Sequence, residues 1–180
     1  MKLNKYFYLL LIWVLSFSSS AIAASKAEID TDVQFALTTF YNLSPANKEL
    51  ASKAAGILVF PSIMKAGFFV GGDYGEGALQ VSGKTVDYYS TAAISFGLQL
   101  GAQSRSEVIL FMDKETLENF RMHDGWAAGL DGSVAVIDNG AGKGINTETA
   151  KEPIIAFIFS NKGLMGNLSL EGSKFSKIYR

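Results

Sequence analysis

The alternation of apolar and polar positions divides the chain into a helical start and a long β-rich remainder. In residues 25–42, Ile29, Val33, Leu37 and Phe40 recur at helical spacing and share one face. Ser25-Lys26-Ala27-Glu28 is a capping-box sequence, with Ser25 at the N-cap and Glu28 reaching back to it. Ser44-Pro45 opens a second helix that runs to about residue 55, where Gly56 stops it. From Ile57 onward the helical period is lost. The run 57–60 is apolar, is bounded by Pro61 and predicts a buried strand. Residues 78–81 and 85–89 flank Ser82-Gly83-Lys84 as a hairpin. Residues 92–102 alternate strictly and predict one long strand, with a turn at 103–106. The unbroken apolar run 108–112 predicts a central strand. Asp113 then caps a short helix with Leu117 and Phe120 inward. Further strands are expected over 126–137, interrupted at Gly129 and Asp131-Gly132, and over 154–159, 164–170 and 175–179. A glycine-rich loop is expected over 138–149, with turns at 160–163 and 171–173. The layout predicts an α+β fold, two N-terminal helices packed on a curved, largely antiparallel β-sheet or half-barrel.

The stretch 56–77 carries the densest signal. A second apolar patch, 68–70, runs into Gly71, Gly72, Gly75 and Gly77. Glycines this close predict positive φ, bulges, or backbone approaching something closely. Their amides can be read as an anion-binding nest. Bulges and turns in a bent sheet are the commoner outcome and the reading preferred. Lys65 stands just before Phe68 and Phe69, a lysine beside aromatics that suits a lipid headgroup and acyl boundary. The competing reading makes the aromatics core and Lys65 a solvated turn residue.

Composition changes the picture at the N-terminus. Lys2 and Lys5, an apolar run over 6–17 and Ala21-Ile22-Ala23 together spell a secretory signal peptide, cleaved after Ala23. The apolar run is shorter than the ~20 residues that a membrane span needs. The remaining chain, 24–180, reads as a single domain. The chain has no cysteine, which suits an exported periplasmic protein that is stable by packing alone. The leader takes two of the 16 basic residues and none of the 17 acids, leaving 14 against 17, a net −3. That balance argues against nucleic acid as a partner.

Candidate chemistry adds little. Residues 78–85 fit a relaxed phosphate-loop pattern, but a strand rather than a helix follows, so the match is read as chance. His123 is the single histidine, without cysteine or a second imidazole for a metal, and no G-x-S-x-G elbow supports a triad. Asp73, Glu76, Asp124 and Asp131 are the loop acids from which a carboxylate pair would have to be drawn. Lys65, Lys84, Arg105, Lys162, Lys174 and Lys177 are the local basic positions, several of them in expected turns. No catalytic residue, metal or cofactor is assigned.

The segment 56–77, GILVFPSIMKAGFFVGGDYGEG, resembles the opening signature of the SYLF domain, also called the Ysc-type actin-binding domain. Segments 88–112, 124–136 and 156–174 resemble its later blocks in order, so the resemblance spans about 50–178. It implies a non-enzymatic lipid-binding module that recognises acidic, phosphoinositide-like phospholipid headgroups. Eukaryotic relatives bind phosphoinositides, partly through an amphipathic segment before the domain, and fungal ones also bind actin. Bacterial relatives are exported envelope proteins. Here the preceding helix is acidic rather than basic, which speaks against its insertion into a bilayer, and actin is not expected as a partner in a periplasm. Lys65, Phe68, Phe69, Gly71 and Gly72 are the expected lipid-binding residues. The alternative is an envelope protein–protein interaction module with no lipid affinity. A hydrolase built on His123 is a third reading.

Overall fold

The computed structural model describes residues 24–67, 70–96, 101–138, 149–162, 170 and 172–180. The expected leader, Phe68, Phe69 and most of the expected return strand over 164–170 lie outside these residues. Helix α1 (Lys26–Leu43) begins with the capping box read from the sequence: Ser25 Oγ accepts the Glu28 amide, and Glu28 accepts the Ser25 amide. Helix α2 (Pro45–Lys53) starts at Ser44 with Pro45 in its first turn. Four long strands follow: β1 (Gly56–Gly67), β2 (Val70–Val81), β3 (Lys84–Phe96) and β4 (Gly101–Phe111). Asp113 caps α3 (Lys114–Met122) by accepting the Thr116 amide at 2.7 Å. Then come β5 (Trp126–Ala127), β6 (Ala135–Asp138), a 3-10 turn at Thr149–Lys151, β7 (Ile154–Lys162) and β8 (Lys174–Ile178).

Among the described residues the strands form one eight-stranded sheet in the order β5-β8-β3-β2-β1-β4-β7-β6, curled as a half-barrel. All neighbours are antiparallel except β6 and β7, which are parallel. The expected α+β class and curved sheet are therefore observed. The helices are not all N-terminal, since α3 interrupts the strands. The edges are the shortest strands, β5 and β6, a form that leaves little unpaired backbone for a foreign strand.

Each face of the sheet carries a core. On one face, Val59, Val108, Leu110, Ile155 and Phe157 pack under Ile29, Val33, Leu37 and Phe40 of α1. On the other, Leu58, Phe60, Ile109, Phe111, Ile154 and Ala156 pack with Leu117 and Phe120 of α3, Trp126 and Phe175. Successive side chains of a strand point to opposite faces, so a strand buried on both sides reads as an unbroken apolar run. That is why 57–60, 108–112 and 154–159 were continuous.

Several expected boundaries move. Strand β1 does not stop at Pro61. Pro61 sits in a central strand, and the register shifts there against both neighbours, between Val59 and Ser62 on β2 and between Phe60 and Ile63 on β4. A proline has no amide for the ladder, so a central strand can hold one only at a bulge. The Ser106 hydroxyl satisfies the Pro61 carbonyl at 2.7 Å. The alternating run 92–102 is not one strand: β3 ends at Phe96 and β4 begins at Gly101. β3 and β4 run antiparallel with β2 and β1 between them, and alternation along the chain carries no sign of such a reversal, so periodicity could not reveal the break. The expected turn at 103–106 lies inside β4, and β7 runs on to Lys162 through most of the expected turn at 160–163.

Candidate functional site

The glycines after Phe69 are strand residues. Gly71, Gly72, Gly75 and Gly77 lie in the ladders of β2 with β1 and β3, and none has positive φ. Their amides serve the sheet, so they do not form an anion nest. Two of them meet the backbone closely. A Cβ on Gly77 would lie 2.0 Å from the Val59 carbonyl oxygen, and one on Gly75 2.8 Å from that of Ser62. These glycines let β2 close against the Pro61 bulge. At Gly72 the nearest atom to a Cβ is the Ala93 carbonyl oxygen at 3.9 Å, so packing does not demand a glycine there.

The hairpin end of β1 and β2 gathers the expected lipid-binding residues that are described. Gly67 pairs with Gly71 and Gly101, Ala66 with Gly72, and Lys65 with Asp73 and Gln103. Lys65 is half-buried, and no ion pair joins it to another described residue. Strand alternation puts Lys65 on the α3 face with Ile63 and puts Met64 on the α1 face. On that α1 face, beyond the reach of the helix, Met64 and Tyr74 stand opposite each other and Ile94 follows on β3. They are 51%, 53% and 74% exposed, an uncovered apolar strip that the sequence reading missed. Its signal was present in the alternation of β1, β2 and β3, but only the extent of α1 shows which part of that face stays bare.

Between the strip and the start of α1 runs a groove of about 660 Å³, lined by Ile29, Pro61, Met64, Tyr74 and Ile178. Its charged residues are Asp32, Glu76 and Arg180. The Tyr74 hydroxyl donates to Glu76 Oε1 at 2.7 Å, and Arg180 pairs with the same oxygen. Burial, then the bond to Glu76, raises the pKa of the Tyr74 hydroxyl. The helix beside the groove is anchored to the sheet by Asp30, which accepts Thr85 Oγ1 at 2.9 Å and Tyr88 Oη at 3.0 Å.

The α3 face below Lys65 holds a buried charge cluster. Arg105 Nη1 lies 2.6 Å from Asp73 Oδ2, and Arg105 Nε lies 3.8 Å from Glu107 Oε2. Their side chains are 4%, 8% and 0% exposed for Arg105, Asp73 and Glu107. Neither Glu107 oxygen has a hydrogen bond among the described residues. Burial pushes the Glu107 pKa up to about 7; Arg105 opposes the shift and Asp73 adds to it. Arg105 is thus a buried strand residue and not the turn cation that the sequence suggested.

The remaining candidates do not assemble a reactive centre. Asp73 and Glu76 face opposite sides of the sheet by alternation. Asp131 accepts the Ala127 amide at 2.7 Å as a turn residue. His123 is exposed at the end of α3 with its Nδ1 2.7 Å from the Asn119 carbonyl. Ser82-Gly83 is the β2–β3 hairpin turn and leads into a strand, as the chance reading of the phosphate-loop pattern required. Lys177 pairs with Asp87, which also holds Arg121 at 3.2 Å. Among the described residues no group of three or more His, Cys, Asp or Glu is placed to hold a metal ion.

Residues 92–178 match the family model described as Ysc84, Las17-binding protein actin regulator. The match, over 87 of the 180 residues, is to the SYLF family that the sequence resembles. The match begins within β3 and ends with β8, so it takes in Arg105 and Glu107. The 56–77 segment of the resemblance precedes it. The description is that of a binding protein and regulator and names no reaction. No curated protein matches the chain.

Proposed function

We propose that residues 24–180 form one non-enzymatic Ysc84-family domain that works in the periplasm and binds acidic phospholipid headgroups at the glycine-rich end of its sheet. The observation that carries this reading is the juxtaposition at that end. The exposed strip Met64, Tyr74 and Ile94 lies on one face of the hairpin, and Lys65, without an ion pair to a described residue, lies on the other. An apolar strip and a cation at the same end of a sheet, one on each face, suit an edge that meets acyl chains and anionic headgroups together. Phe68 and Phe69, the other expected lipid contacts, stand between these arms in sequence and lie outside the described residues.

The test is co-sedimentation of the protein from Ala24 onward with neutral and with anionic vesicles across a salt series. Binding to anionic vesicles alone, weakened by salt and by Lys65→Glu, is expected. Unchanged binding of Lys65→Glu overturns the assignment of Lys65. A second reading rests on the acids Asp32 and Glu76 beside the apolar strip, which suit a protein partner better than an anionic surface. Absence of binding to either vesicle favours that envelope protein partner.

A further inference from the structure

The cluster of Asp73, Arg105 and Glu107 spans strands that do not touch. β1 lies between β2 and β4 in the sheet order, with Lys65 opposite Asp73 and Ile63 opposite Arg105. The bond from Arg105 to Asp73 therefore straps β2 to β4 across the α3 face of β1. Its place is just below the hairpin end, past the bulge at Pro61.

The charges on this strap do not balance. Arg105 and Asp73 cancel as a bonded pair. Glu107, when ionised, adds a buried negative charge with no donor to either oxygen among the described residues. Its cross-strand neighbours are Phe60 on β1 and Ile158 on β7, both apolar. The charged groups that face it are Arg105 on its own strand and Asp73 from β2, with Lys65 of β1 at the end of the same face. From α3 the face receives Leu117 and Phe120, which are apolar. The other charged group on this face, Asp87 with Arg121 and Lys177, has cations for its carboxylate. A buried carboxylate without donors or a full counter-charge is driven to hold a proton.

The geometry points to a proton-operated clasp: with Glu107 protonated the cluster is neutral and Arg105 stays on Asp73, and with Glu107 ionised Arg105 is contested and the β1–β2–β4 end of the sheet loosens. The proton comes from solvent and returns to it. The inference stands apart from the lipid reading, since it concerns the free protein.

The sign follows from linkage. The folded protein holds the Glu107 proton up to about pH 7, whereas the unfolded chain releases it near the ordinary value of 4.5. The contribution of this group is complete below the unfolded value and is lost as pH rises through the folded one. Its loss lowers the folding constant by roughly tenfold to a hundredfold between about pH 5 and pH 8.

The experiment is urea unfolding from pH 5 to pH 8 of the protein and of Glu107→Gln, both in a His123→Asn background. That background leaves a chain without histidine. The parent is expected to lose stability as pH rises, and Glu107→Gln is expected to lose that part of the slope and to be at least as stable as the parent at pH 8. An unchanged slope in Glu107→Gln overturns the proposal. Should Glu107→Gln fail to fold, carboxyl carbon NMR of the parent decides, with a Glu107 midpoint near 7 expected and one in the ordinary carboxylate range overturning it. Amide exchange, corrected for intrinsic rate, should speed up from pH 5 to pH 8 at residues 73–75 and 103–105 of the parent. Constant protection there overturns the clasp.

Discussion

Gly72 and Gly77 lie five residues apart on β2, and their surroundings differ. Gly77→Ala forces a methyl into the Val59 carbonyl and should destabilise by about 1–3 kcal/mol or more, measured by urea unfolding. Gly72→Ala meets only the Ala93 carbonyl oxygen, at 3.9 Å, and should stay within about 0.5 kcal/mol in the same assay. Sequence shows the glycines but not which of them the backbone needs, because the bulge that closes on Gly77 belongs to another strand. Tyr89 is a second case. Its hydroxyl is buried without a hydrogen bond among the described residues, and burial raises its pKa to about 12. A tyrosine whose folded pKa is raised keeps its contribution below the unfolded value, about 10, and loses it as pH climbs toward 12. Tyr89→Phe should remove that alkaline loss and cost little near pH 7, since no hydrogen bond is broken. A pH-dependent melting series compares the two proteins.

At the scale of elements, α1 is tied to the sheet by chemistry as well as by its apolar stripe. Asp30 receives two hydroxyls from β3, Thr85 and Tyr88. Asp30→Ala should destabilise by about 1–3 kcal/mol, and a double-mutant cycle with Tyr88→Phe should show coupling between the two positions. The acidic character of the helix, legible in the sequence, thus acquires a second meaning: one of its acids is a tether. The caps at Ser25, Ser44 and Asp113 and the buried stripe of α1 were all legible because they depend on neighbours within a turn. The boundaries of β3, β4 and β7 were not, because a strand ends where its partners end.

Taken as a whole, the molecule is a curled sheet with a separate core on each face. Removing α1 bares Val59, Val108, Leu110, Phe157 and Phe159 together. The chain lacking residues 24–43 should therefore bind a dye specific for exposed apolar surface and lose its cooperative unfolding transition, read by fluorescence and by circular dichroism. For the same reason α1 cannot lie in a bilayer while the sheet stays covered, and the lipid surface proposed above would meet the strip beyond it. Local pattern by itself determined the helices, the apolar strands, the α+β class and the stretch 56–77 as the densest part of the chain, since periodicity and capping are set by near neighbours. Tertiary structure alone decided that the glycines are ladder residues, that Arg105 is buried on Asp73, that neither Glu107 oxygen has a hydrogen bond among the described residues, and that Lys65 and Met64 part to opposite faces. Each of these depends on register across strands far apart in sequence, and a one-residue change in register would reverse every face.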